Sequence, residues 1–196
     1  KGKKPKLQIS VKDDVSIPLN FDSLAMLSAY YSIEQIIDFW RHHGLDFRDK
    51  YTFFYAPVYY SKKKYGAVKK KFNAAYVDNT KFFLLYKTSN EELIPFSMNK
   101  FILAHEFGHL MFNKAFVNNR PIFFENDDNL MQSVLRAINE GCADFFAYTV
   151  TARTDELQAS QLAAFRDRTL PATFRSYDLA NKRVQGSGIE YYWGSV

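Results

Sequence analysis

Cysteine is almost absent from this chain of 196 residues, which has Cys142 and no other. A single cysteine excludes a disulfide within the chain and excludes the paired cysteine ligands of a zinc knuckle. Long apolar runs are also missing, and roughly 18 consecutive apolar residues are needed for a membrane-spanning helix. We therefore expect no membrane span within this sequence. Histidine is scarce as well, with four residues, so any cluster of histidines carries information.

Lysine accounts for most of the formal net charge of +5, and much of it lies in two runs, Lys1–Lys6 and Lys62–Lys71. A basic run beside aromatic residues is one way to bind nucleic acid, but no nucleic-acid-binding motif accompanies these runs. A solvated surface whose lysines protect a strand edge explains them more simply. We expect no nucleic-acid partner, and the alternative of a polyanion-binding domain predicts steeply salt-dependent binding.

Hydrophobic periodicity predicts strands in the first half and helices in the second, which is typical of the α+β class. The first helix is predicted from Asn20 to His43, with Asp22 as its N-cap and Gly44 just beyond its end. Two strands are predicted to flank a turn at Asp78-Asn79-Thr80. The predicted strands are Leu7–Val11, Phe53–Tyr60, Phe72–Val77 and Phe82–Lys87, and the later helices are Ser97–Ala115, Asp128–Thr151 and Glu156–Arg166.

The segment His105-Glu106-Phe107-Gly108-His109 is an HExxH motif within an apolar helical stretch. Histidines four residues apart project from one helix face, so both imidazoles can reach one metal ion. Zinc lowers the pKa of a bound water towards about 7, and a neighbouring carboxylate such as Glu106 can take its proton. Burying these polar side chains without a ligand is costly, so the motif predicts a zinc site.

A catalytic zinc ion takes a third protein ligand, and Glu140 is the best candidate. The other two histidines, His42 and His43, end the first helix, where a cation suits the helix dipole. Glu140 and Asp144 lie four residues apart on one helix face with apolar neighbours. We expect Glu140 to bind zinc and Asp144 to accept the N–H of a ligand histidine.

HEFGH followed by Asn139-Glu140-Gly141-Cys142-Ala143-Asp144 resembles the thermolysin and fungalysin branch of the gluzincin metallopeptidases. The likeness covers roughly residues 25–196 and is most specific at the two zinc helices. It implies an α+β, zincin-like catalytic domain of two lobes over residues 1–196. The upper lobe, to about residue 115, holds a mixed sheet and the active-site helix. The helical lower lobe spans about 116–196.

The resemblance also implies a reaction, the hydrolysis of peptide bonds, with internal bonds as the expected targets. A peptide or protein substrate would add a strand beside Asn73 and Ala74. Glu106 would act as general base. Tyr191 stands where the family has a histidine that stabilises the oxyanion, and a tyrosine hydroxyl can donate such a hydrogen bond. Packing is the equal alternative for Tyr191.

The family continues beyond the point where this sequence stops. We expect either a minimal version or a chain whose lower lobe is completed by a further C-terminal segment or by a partner. The lysine at position 1 similarly suggests a trimmed or processed product. Because relatives of this type are mostly exported, the resemblance implies a secreted or periplasmic location. The alternative function is a zinc-containing but inactive peptide-binding module.

Overall fold

The computed structural model describes residues 6–45, 51–56, 59–63, 66–70, 74–77, 82–86, 94–117 and 129–152. Within these ranges the helices are α1 (Phe21–His42), α2 (Lys100–Phe112) and α3 (Asn129–Thr151). None of the three is long and apolar enough to cross a membrane. The strands are β1 (Ile9–Lys12), β2 (Val15–Pro18), β3 (Thr52–Ala56), β4 (Tyr59–Lys63), β5 (Gly66–Lys70), β6 (Ala74–Val77) and β7 (Phe82–Tyr86).

A tight hairpin precedes the first helix. Strands β1 and β2 are antiparallel and are joined by Asp13 and Asp14, both with positive φ (50° and 61°). Two successive residues with positive φ match the right-handed twist of the paired strands, and aspartate tolerates this conformation better than most residues. Asp13 and Asp14 therefore form the turn of this hairpin. The backbone N–H of Gln8 donates to Ser23 Oγ at 2.7 Å, which fastens the hairpin to α1.

Helix α1 has its N-cap two residues before the predicted one. The prediction of Asp22 as N-cap was wrong: the N-cap is Asn20, whose extended backbone lets its Oδ1 accept from Ser23 N–H at 2.7 Å. Asp22 lies within the first turn and instead accepts from the Tyr55 hydroxyl at 3.1 Å. Burial and this carboxylate both raise the pKa of Tyr55.

The end of α1 follows the prediction. Gly44 has φ +83°, a conformation that only glycine adopts without strain, and its N–H donates to Arg41 O. The N–H of Leu45 reaches back to Trp40 O, which completes a Schellman motif. His42 and His43 direct their Nδ1 atoms to the carbonyls of residues 38 and 39, as expected for histidines at a helix C-terminus.

A mixed three-stranded sheet lies between α1 and α2 in the chain. Its order is β3-β7-β6, with β3 parallel to β7 and β6 antiparallel to β7. The predicted hairpin of β6 and β7 is confirmed, with Val77 opposite Phe82. The prediction of one strand over Phe53–Tyr60 was wrong. Its first half is β3, and its second half is in β4, which pairs with β5 in a separate sheet. Pro57 lies between them, where a donor is lost from any ladder.

Helix α2 is buried along nearly its whole length, so it has no polar face to solvent. It is shorter than the predicted Ser97–Ala115, because a 3₁₀ turn (Phe96–Met98) precedes it and a π-helical turn (Asn113–Val117) follows it. Asn99 is the N-cap and accepts from Ile102 N–H at 3.2 Å. Helix α3 matches the predicted span Asp128–Thr151 to within a residue at its start.

Aromatic side chains hold the three helices together. Trp40 of α1 meets Phe146 of α3 edge-on at 5.1 Å between ring centroids. Phe101 of α2 meets Tyr148 of α3 at 4.9 Å. Such edge-to-face pairs add to the stabilisation from burial alone. The predicted helix Glu156–Arg166 and the predicted lower lobe beyond α3 lie outside the described residues, so the two-lobed arrangement stays a prediction.

Candidate metal centre

The two histidines of the HExxH motif lie on the face of α2 that meets α3. Because they are four residues apart on one helix, His105 and His109 lie one turn apart, with ring centroids 4.6 Å apart and ring planes at 85° to each other. His105 is 7% exposed, and His109 is slightly more open. His105 thus lies in the core, and His109 lies at the boundary between the core and solvent.

Helix α3 brings a carboxylate to both imidazoles. Glu140 Oε2 lies 3.3 Å from His105 Nε2, and Glu140 Oε1 lies 3.8 Å from His109 Nε2. One potential ligand atom from each of the three side chains lies within 4.8 Å of the others. His105, His109 and Glu140 therefore form a group able to hold a metal ion.

Each histidine has a partner on α3 that fixes its tautomer. Asp144 Oδ1 lies 2.7 Å from His105 Nδ1, and Asn139 Oδ1 lies 3.0 Å from His109 Nδ1. A carboxylate or amide oxygen only accepts, so each Nδ1 carries the proton that it donates. In the neutral imidazoles, both Nε2 atoms then have a lone pair free to bind a metal ion, on the side where Glu140 lies. Asp144 occupies the position that the sequence predicted for it.

The surroundings of His105 favour its protonated form when no metal is bound. Burial lowers the pKa of His105, but hydrogen bonds with the Asp144 and Glu140 carboxylates outweigh burial and raise the pKa from 6.5 to about 9. The same carboxylates that attract a proton would attract a divalent cation. The negative charge of these carboxylates therefore favours the binding of a cation at this site.

Glu106 is held beside this group by the sheet. Its side chain is 7% exposed, and its Oε2 accepts a hydrogen bond from the backbone N–H of Tyr76 at 2.7 Å. Tyr76 is in β6, so strand and helix are joined at the motif. Because this hydrogen bond fixes Oε2, it also limits where the other carboxylate oxygen, Oε1, can point.

Strand β6 forms one edge of the three-stranded sheet in the part of the chain that the structure describes. The Tyr76 N–H points to Glu106 and therefore away from β7. Because backbone groups of alternate residues face the same edge of a strand, the N–H and C=O of Ala74 face that outer edge too. Ala74 thus lies at the same sheet edge as the Tyr76 N–H that bonds to Glu106, and its contact with a substrate stays a prediction. Asn73 and Tyr191 lie outside the described residues.

Sequence reasoning did not identify two of the groups that orient the site. Asn139 was not predicted to hold His109, although it directly precedes Glu140 and so shares its region of α3. The N–H of Tyr76 was missed because a backbone donor has no signature in a sequence.

Comparisons of the chain with protein-family models and curated proteins, and of its structure with solved structures, found no match.

Proposed function

We propose that this protein is a zinc-dependent peptidase that hydrolyses internal peptide bonds. The observation that carries the proposal is the meeting of His105, His109 and Glu140 beside a buried carboxylate, Glu106, whose one oxygen is fixed by the sheet. A group that only stored a metal ion would not need this additional carboxylate. A general base does need to be held close to the metal-bound water.

Zinc fits the donor set. Two imidazole nitrogens and one carboxylate oxygen are the ligands of many catalytic zinc sites, in which the fourth position is left for water. Tetrahedral zinc with bonds of about 2.0–2.1 Å places neighbouring ligand atoms about 3.3–3.4 Å apart. The 3.3 Å between His105 Nε2 and Glu140 Oε2 agrees with that spacing, and the other oxygen, Glu140 Oε1, lies 3.8 Å from His109 Nε2.

Zinc held by these residues would polarise the scissile carbonyl and lower the pKa of the attacking water. Glu106 would accept the proton of that water and pass it to the leaving amine. Asp144 and Asn139 would keep the two imidazoles in the tautomer that presents Nε2, and Asp144 would also stabilise positive charge on His105. The packing of α2 against α3 orients the two imidazoles and their partners, and strand β6 orients Glu106.

The outer edge of β6 is the proposed substrate position. An extended peptide can add to an open sheet edge through backbone hydrogen bonds, so recognition would depend little on side chains. Ala74 faces this edge, and Asn73 is the further residue that we propose for backbone contact. The proposal also includes Tyr191 as the donor of a hydrogen bond to the oxyanion, and a second, helical lobe of gluzincin type. A secreted or periplasmic location belongs to that proposal as well.

Metal analysis and an activity assay on one sample test the proposal. We expect one zinc ion per chain by elemental analysis, and cleavage of unfolded casein that a chelator abolishes and added zinc restores. One zinc ion without cleavage favours the inactive peptide-binding module, or a lower lobe that needs a further segment or partner. A chain that binds no zinc contradicts the proposal.

Replacing the base separates the chemistry from metal binding. Glu106→Gln keeps the size of the side chain and an oxygen that can accept from Tyr76 N–H, but it removes the basic carboxylate. We expect wild-type zinc content and a loss of casein cleavage of at least about 10²–10⁴-fold. Asp38→Asn, which alters an exposed carboxylate on α1, is the control and should leave activity unchanged. Full activity in Glu106→Gln would rule out this mechanism.

A further inference from the structure

Helices α2 and α3 approach each other backbone to backbone at Gly108. A Cβ atom built at Gly108 would lie 2.6 Å from Ala143 Cα, 3.0 Å from Ala143 O and 3.1 Å from Ala143 Cβ. Two of these three atoms belong to the backbone, so no change of rotamer can move them aside. Any side chain at position 108 must therefore push the two helices apart or break one of them locally.

This contact lies at the centre of the metal group. Gly108 directly precedes His109 and lies three residues, about one turn, after His105. Ala143 has the same relation to α3, since it directly precedes Asp144 and lies three residues after Glu140. This close approach of the two helices is thus flanked on both sides by the residues that must meet across it.

We infer that Gly108 is a positioning residue of the metal centre, since it sets the separation of α2 and α3 at which Glu140 reaches both imidazoles. The inference rests on the metal binding that we propose above. An ordinary contact for a new Cβ begins at 3.4 Å, so the 2.6 Å approach requires a displacement of about 0.8 Å. Metal–ligand bonds tolerate only about 0.2 Å, and a functional site about 0.5 Å. The displacement exceeds both limits.

A purely structural role for Gly108 predicts a different result. Alanine is the better helix former, so Gly108→Ala in an uncrowded helix would be harmless or stabilising. If the crowding at position 108 lowered only the stability of the fold, every variant with the same loss of stability would show the same loss of metal affinity. If Gly108 sets the ligand spacing, metal affinity is lost beyond what stability accounts for.

Gly44→Ala provides a matched control, because it is the same substitution at a site where a Cβ meets no atom within 4 Å. Its cost comes from the positive φ of Gly44, far from the helix crossing. Both variants are made in the full chain, and Zn²⁺ affinity is measured by competition with a chromogenic chelator. Co²⁺ is then added as a probe, since its absorption spectrum reports the coordination geometry.

For Gly108→Ala we expect Zn²⁺ affinity to fall by at least about tenfold and the Co²⁺ spectrum to change, while Gly44→Ala matches the wild type in both. Wild-type affinity and spectrum in Gly108→Ala overturn the inference. Should Gly108→Ala not fold, Ala143→Ser adds a single atom from the opposite helix and is expected to weaken Zn²⁺ binding less. Unchanged binding by a folded Ala143→Ser then overturns the inference.

A wild-type chain that binds no metal would defeat the proposed function but still leave the geometry testable. In the metal-free protein the His105 Nδ1–H donates to Asp144 across the same helix crossing, and such a proton gives a downfield signal in the proton NMR spectrum. We expect this signal in the wild type and in Gly44→Ala, and its loss in Gly108→Ala. Its persistence in Gly108→Ala overturns the inference without reference to any metal.

Discussion

At the scale of single residues, the two histidines of the proposed metal site differ in the side chain that holds each of them. His105 is paired with a buried carboxylate, Asp144, at 2.7 Å, and His109 is paired with a neutral amide, Asn139, at 3.0 Å. Charge-assisted hydrogen bonds are shorter and roughly twice as strong as neutral ones. The two imidazoles are therefore not equivalent, because that of His105 is held by the stronger hydrogen bond.

Removing either partner should weaken metal binding by different amounts. We expect Asp144→Ala to lower Zn²⁺ affinity by about 10–100-fold and Asn139→Ala to lower it less, towards the bottom of that range. Competition titration of the purified variants measures both. Asp38→Ala removes an exposed carboxylate from α1 and should keep wild-type affinity. Equal losses at positions 139 and 144 would contradict the distinction between the two imidazoles.

The raised pKa of His105 makes metal binding compete with a proton. The pKa is raised from 6.5 to about 9 in the metal-free protein, so the proton stabilises the fold fully below pH 6.5 and this contribution is lost as the pH rises through 9. A metal ion must displace that proton. We expect apparent Zn²⁺ affinity to rise by up to about tenfold per pH unit from pH 6.5 towards 9.

Calorimetry in buffers of different ionisation enthalpy measures the protons released on metal binding. Near pH 7.5 we expect about one proton from His105 for each ion bound. Asp144→Asn should reduce that number, because the charged partner that raises the pKa of His105 is gone. A pH-independent affinity in the wild type would contradict the raised pKa.

The chemistry of single side chains was the most predictable part of the site. The three possible ligands can be predicted from two features of the sequence. These are the spacing of His105 and His109 and the acidic residues of α3. Asn139 was harder to predict, because an amide beside a ligand has many uses on a helix. Which residue caps α1 was also misjudged: Asn20 and Asp22 are both good caps, and the choice depends on the hairpin that fixes where the chain turns.

At the scale of elements, the stability of α2 depends on the cap of its first turn, because nearly all of the helix is buried and water cannot replace a lost hydrogen bond there. Asn99 caps it and is only 5% exposed, so the N–H of Ile102 has no access to water as a substitute partner. The cap thereby fixes the residue at which α2 begins and, through the helix, the positions of His105 and His109.

Loss of this cap should be costly. We expect Asn99→Ala to lower the free energy of unfolding by about 1–2 kcal/mol, measured by urea denaturation of the metal-free protein. Asn99→Ser retains a side-chain oxygen that can accept from Ile102 N–H and should recover most of the loss. Identical losses in the two variants would show that Asn99 acts through something other than capping.

Periodicity predicted the helices better than the strands. α1 and α3 have enough apolar residues at helical spacing to be placed within a residue or two. The aromatic run Phe53–Tyr60 shows no alternation that would reveal a break, so only Pro57 hinted that it divides between two sheets. Parallel pairing of β3 with β7 is a long-range choice that local sequence does not specify.

At the scale of the whole molecule, the proposed metal joins segments that are far apart in sequence. Its ligands come from α2 and α3, and its general base is tied to β6. A ligand that binds the folded state alone stabilises the whole domain. Sequence alone predicted the helix pair, but the packing that unites it with the sheet had to be seen in three dimensions.

Thermal unfolding should report this linkage. At a free Zn²⁺ concentration about 100 times the dissociation constant, binding adds about 2.7 kcal/mol. For a chain of this size we expect Tm to rise by about 5–10 °C over the chelator-treated protein. Glu140→Ala removes the ligand from α3, and its Tm should then respond weakly to zinc. A large zinc-dependent shift in Glu140→Ala would place the ion elsewhere.

The hydrogen bond from Tyr76 N–H to Glu106 has a consequence for how substrate length should matter. Under the proposed reaction, the strand that aligns the peptide also holds the base that activates the water, so alignment and activation are coupled through one backbone amide. Pairing along β6 that steadies the strand steadies Glu106 as well. Residues of the substrate far from the cleaved bond would then raise kcat rather than merely lower KM, because their binding energy is used in the transition state.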